Sequence, residues 1–168
     1  TSTGGAIANQ GGNAVLTDRM VSGNSTMGEY ARGGGFSGSS ITLTNSTVSG
    51  NGTGGDHAGG GGIYGYYVAL TNSTTTDNST AGIHAGGGGM AGADFSSMSL
   101  TNSSVSGNST LGSQAGGGGI AGDFVALTNS TINANSTAGG AEGGGVSVGD
   151  YGAATIANSI VADNSAPG

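Results

Sequence analysis

The chain has 168 residues, 40 of them glycine, with nine acidic and two basic side chains for a formal charge of −7, where average usage is roughly 7% glycine and about a quarter charged. With Arg19 and Arg32 as its only cations and no cysteine, it lacks the means to neutralise nucleic-acid phosphates or an anionic membrane surface, and it can form neither disulfides nor thiolate zinc sites. No apolar run reaches membrane-span length, which argues against membrane insertion of this segment, and an opening Thr1 in place of Met reads as a chain processed or excised from something longer.

In chain order, each unit begins with a glycine-preceded apolar residue, at Ile7, Phe36, Ile63, Met90, Ile120 and Val146. Seven to ten residues later comes an aliphatic that opens the motif Leu-Thr-Asn-Ser-x-Val-x-x-Asn. It falls at Leu16, Leu43, Leu70, Leu100, Leu127 and Ile156, with spacings of 27, 27, 30, 27 and 29 residues. Apolar pairs two apart precede the motif, as in Ile41 and Leu43 or Val125 and Leu127, and another apolar position follows at Val21, Val48, Val105, Ile132 and Val161, with Thr75 the exception. Period two among β-branched residues means strand, and the Gly, Ser, Thr and Asn between them exclude helical repeats. Each unit therefore predicts three short strands: one at the glycine-preceded aliphatic, one at the Leu pair and one at the Val. The predicted fold is all-β, a parallel β-helix of about six coils of 27–30 residues over 1–168 as a single repeat domain. Like residues would stack about 4.8 Å apart.

Leu43 to Asn51 (LTNSTVSGN), Leu100 to Asn108 (LTNSSVSGN) and the glycine runs ending at Ile63 and Ile120 resemble the right-handed parallel β-helix repeats of bacterial surface proteins, such as autotransporter passengers and polymorphic outer-membrane proteins. The resemblance implies a right-handed solenoid at the cell surface or outside the cell, and it specifies fold far more strongly than function.

Stacking turns sequence columns into ladders. Asn45, Asn72, Asn102, Asn129 and Asn158, with Asp18 in the first coil, form one column, and Asn24, Asn51, Asn78, Asn108, Asn135 and Asn164 another. Carboxamides donate and accept, so both are expected to be structural ladders at corners. Nine of these asparagines stand in Asn-x-Ser/Thr sequons, which makes glycans the competing expectation, although an inward asparagine could carry none. Thr17, Thr44, Thr71, Thr101 and Thr128, with Ser46, Ser73, Ser103 and Ser130 two residues on, predict a flat outward hydroxyl face resembling those of ice-binding proteins. Asp94, Asp123 and Asp150 each precede an aromatic, Phe95, Phe124 and Tyr151, which with Tyr67 are expected to stack. These three carboxylates are weak candidates for a shared cation, and solvation is the favoured expectation. Tyr30, His57, His84 and Gln114 share a column, but two histidines alone make a poor metal site.

No catalytic constellation emerges. The carboxylates lie one per coil away from either arginine, and no acid is placed to orient a histidine beside a nucleophile. The expectation is no enzyme and no cofactor. Joining tail to head would put Asn164 and Ile7 eleven positions apart, against internal distances of 12, 12, 12, 12 and 11. That phase match, with no polar terminal segment, predicts self-association head to tail, or a window on a longer tandem array. The functional expectation is a structural subunit of an extracellular filament or adhesin stalk, with ice or carbohydrate binding on the Thr/Ser face as the alternative.

Overall fold

The computed structural model describes residues 3–138 and 142–167. Among them the chain is all-β and winds through about six coils whose strands stack into three parallel sheets, with no helix. The first sheet takes the long strand of each coil, such as Phe36–Thr44 and Ile63–Thr71. A corner leads to the second sheet, with Thr47–Ser49 and Thr74–Thr76, and another to the third, with Gly52–Gly54 and Ser79–Thr80. Register keeps like over like: Leu16, Leu43, Leu70, Leu100, Leu127 and Ile156 are successive partners.

Three strands per coil were expected, but the structure divides the unit differently. The glycine-preceded aliphatic and the Leu pair share one long strand, and Phe36, Ile41 and Leu43 all enter the core from Phe36–Thr44. The third strand is the segment after the second asparagine, and its inward residues are Thr26, Thr53, Thr80, Thr110 and Thr137, all buried. Threonine has high β propensity and nearly the shape of valine, so it can line a core wall that a search for apolar residues passes over. The hydroxyl oxygens of Thr26, Thr53, Thr75, Thr80 and Thr137 find no hydrogen-bond partner among the described residues.

The core is thin, and the glycine runs make it so. Gly60 turns the chain at φ +63°, a Cβ on Gly61 would strike the Ser79 carbonyl across the coil, and one on Gly62 would lie 2.9 Å from Asn78 Cγ. These positions bring one wall against the next, so backbone approaches backbone where a side chain has no room. Most of the length variation is absorbed in the long strand. Extra residues bulge the long strands of the first and last coils, between Asn9 and Asn13 and opposite Gly122–Phe124, and the fourth coil's strand breaks between Met90–Ala91 and Ser97–Thr101.

Candidate functional site

Both asparagine columns form hydrogen-bonded ladders, but their environments differ. In the inner column each Nδ2 donates to the Oδ1 of the asparagine one coil further on, at 2.9–3.0 Å from Asn24 through Asn164. The same oxygen also accepts the preceding asparagine's backbone N–H, at 2.9–3.0 Å. Asn78 Nδ2 additionally reaches the Val48 and Thr76 carbonyls. Asn51, Asn78, Asn108 and Asn135 are buried, so the lattice satisfies carboxamide and turn backbone together.

The outer column is exposed and runs the opposite way, from later coil to earlier: Asn45 Nδ2 donates to Asp18 at 3.1 Å, Asn72 to Asn45 at 3.3 Å, Asn102 to Asn72 at 3.3 Å and Asn129 to Asn102 at 3.2 Å. These residues turn the first corner in the left-handed region, with φ between 48° and 56° from Asp18 to Asn158, which Asn and Asp tolerate better than other side-chain-bearing residues. An acid suits position 18 because a ladder running toward the first coil ends on an acceptor, and an ionised carboxylate only accepts. Of the nine sequons, those of Asn45, Asn72, Asn102 and Asn129 present exposed carboxamides. The other five place theirs in the inner lattice and their threonines in the buried third wall.

The expected hydroxyl face needs correction. Thr17, Thr44, Thr71, Thr101 and Thr128 do point outward in register, but Ser46, Ser73, Ser103 and Ser130 are buried. The left-handed residue between Thr and Ser reverses the alternation, so counting by twos fails across that corner. Each serine Oγ donates to the carbonyl two residues back, at 2.8 Å, and accepts a backbone N–H from the preceding coil at 3.1–3.2 Å. Two outward hydroxyl ranks do exist, on the second sheet: Thr47, Thr74, Ser104 and Thr131, beside Ser49, Thr76 and Ser106. The alternation within Thr47–Ser49 and its equivalents could have revealed them.

Core columns reach both end coils. Leu127 and Ile132 are fully buried, whereas their successors Ile156 and Val161 are 52% and 46% exposed. At the same end the Asn164 backbone N–H has no acceptor among the described residues, and at the other Asn24 Oδ1 has no donor.

A polar groove of about 500 Å³ runs along the outside of the first sheet. One wall holds His57 and His84 from the column counted from the glycine runs: His57 stacks on His84 with ring centroids 5.1 Å apart, and Tyr30, one coil before the lining, stacks on His57 at 4.9 Å. Tyr30, His57, His84 and Gln114 all lie at φ 57–60°, a conformation that costs a side-chain-bearing residue roughly 1–2 kcal/mol. Asp94 and Asp123 line the facing wall, and Arg32, 4.8 Å from the Tyr64 ring centroid, closes one end. Burial pushes the Tyr64 hydroxyl above its usual pKa; Arg32 opposes the shift, and Tyr66 and Asp94 add to it. Asp94, Asp123 and Asp150 also border a second, smaller groove with Phe95, Phe124 and Tyr151, where the Asp123 carboxylate accepts the Phe95 N–H. The expected aromatic stack does not form: Phe95, Phe124, Tyr151 and Tyr67 stay exposed, and Tyr67 pairs in register with Ser97. Among the described residues no group of three or more His, Asp or Glu converges to hold a metal ion, and no helix is long and apolar enough to cross a membrane.

The fold defines the chain as a parallel β-solenoid. No family model matches it, and neither a curated protein nor a solved structure does.

Proposed function

We propose that this chain is a structural segment of an extracellular filament or adhesin stalk of the bacterial surface-protein kind, with copies or successive repeats stacked end to end. The observation that carries this reading is the inner asparagine ladder, which leaves an unused acceptor on Asn24 and an unused donor on Asn164. A second copy placed after the last coil would set Asn24 Oδ1 against Asn164 N–H and Nδ2. The same placement covers Ile156 with Leu16 and Val161 with Val21, following the register of every internal pair. Burying the two open core columns supplies the hydrophobic gain, at about 25 cal/mol per Å² of apolar surface, and the ladder supplies register and direction. Arg19 occupies the serine column in the first coil, so the serine ladder would be interrupted at each junction.

Negative-stain micrographs of the purified chain test this. Unbranched fibres are expected, with an axial repeat of about 29 Å, six coils at about 4.8 Å each. Val161→Asp, which sets a carboxylate on the end face, should reduce them to short rods. Monodisperse wild-type particles at high concentration would overturn end-to-end stacking. A second reading, ice binding, draws on the paired hydroxyl ranks of the second sheet; thermal hysteresis that disappears in Thr74→Tyr would favour it.

A further inference from the structure

We infer that the groove walled by His57 and His84 is a binding site for a short, neutral, linear oligosaccharide, separate from any end-to-end contact. Two departures from what the backbone prefers meet there. At the wall, His57 and His84 occupy left-handed positions where glycine is the least strained choice; among the described residues glycine fills thirteen positive-φ positions and side-chain-bearing residues fill fourteen, these two among them. At the floor the choice is reversed. Gly86 has an ordinary backbone conformation, and a Cβ there would meet only the Ala121 methyl, at 3.8 Å. Imidazoles are held at strained positions of the wall, and at the floor a side chain is omitted where the coil would accept one. The result is a trough floored by Gly86, Ala91 and Ala121 and walled by imidazoles on one side and carboxylates on the other.

Its chemistry selects the ligand. Asp94 and Asp123 face the trough, and Arg32 is already engaged over Tyr64, which disfavours an anion. A floor with no side chain larger than alanine offers little to a greasy ligand. What remains is a mixed set of acceptors and donors: two carboxylates, two imidazoles that do both, and the Tyr66 hydroxyl. Sugar hydroxyls, which also donate and accept, match such a set, while the bare floor and the tyrosine rings accommodate flat C–H faces. The lining extends from Arg32 in the second coil to Ser147 in the sixth, four coil steps or about 19 Å, and the volume of about 500 Å³ falls within the roughly 300–1,000 Å³ of small-molecule sites.

The chain's two histidines both line this groove, so their Hε1 resonances report on it directly. Cellotetraose, xylotetraose, maltotetraose and chitotetraose would be titrated separately at millimolar concentration, with spermine as the cationic comparison. At least one tetrasaccharide should shift both resonances saturably. Gly86→Leu, which fills the floor, should weaken that binding at least about tenfold with an unchanged circular-dichroism spectrum. Should Gly86→Leu misfold, the exposed Asp94→Ala serves in its place with the same expected loss. Silence of both resonances to all four sugars, tighter binding of spermine than of any sugar, or wild-type affinity in the folded groove variant would each overturn the assignment.

Discussion

The two asparagine columns use one residue type at one spacing, yet they contribute to the molecule in different ways. In the inner column each carboxamide oxygen from Asn51 onward accepts twice, each nitrogen up to Asn135 donates to the next carboxamide and to backbone, and the middle members are sealed from water. In the outer column one bond of 3.1–3.3 Å links each exposed pair from Asp18 to Asn129, and the residue's main service is to occupy a left-handed corner. A hydrogen bond exchanged with water contributes little, whereas a buried polar group deprived of its partner is expensive. Identical ladders in sequence are thus a lattice in one case and a set of corner pieces in the other.

That contrast can be broken by substitution, and the largest effect belongs to the lattice. Asn78→Ala strands the Asn51 backbone N–H and Nδ2 together and should cost at least about 3 kcal/mol, seen as a lowered urea midpoint. Ser73→Ala removes an acceptor for the buried Ser46 N–H and should cost about 1–3 kcal/mol by the same measurement. Thr75 occupies a column otherwise filled by Val48, Val105 and Ile132, with a buried hydroxyl lacking a partner; Thr75→Val should stabilise the protein by about 1 kcal/mol. Asn72→Gly, in the outer column, should change stability by no more than about 0.5 kcal/mol, since glycine accepts the corner conformation as readily. In a host able to glycosylate sequons, peptide mass spectrometry should find any sugar on Asn45, Asn72, Asn102 or Asn129, with Asn51, Asn78, Asn108 and Asn135 unmodified.

The coil count, the sheet direction and the columns were legible because a repeat multiplies each local signal by six. Ile41 and Leu43 announce their inward positions by period two, Phe36 and Val48 theirs by recurrence in every unit, and counting from the glycine runs places His57 and His84 as neighbours. The failures share one cause. Alternation was carried through corners, so Ser46 was assigned to the surface although Asn45 reverses the chain's facing. The third wall was missed because its inward residues are threonines, read as the last letter of a sequon. The groove joins His57 to His84 and Asp94 to Asp123 across successive coils, a juxtaposition that no single unit spells out.

The opposite running directions of the two ladders have an electrostatic consequence. Amides aligned head to tail sum to a macrodipole, as along a helix. Here the inner column points its amide N–H groups toward the last coil and the outer column toward the first, so each added coil contributes two opposed amide dipoles. The opposition is confined to the side-chain amides, since the backbone N–H groups of the serine and inner asparagine columns point together toward the last coil.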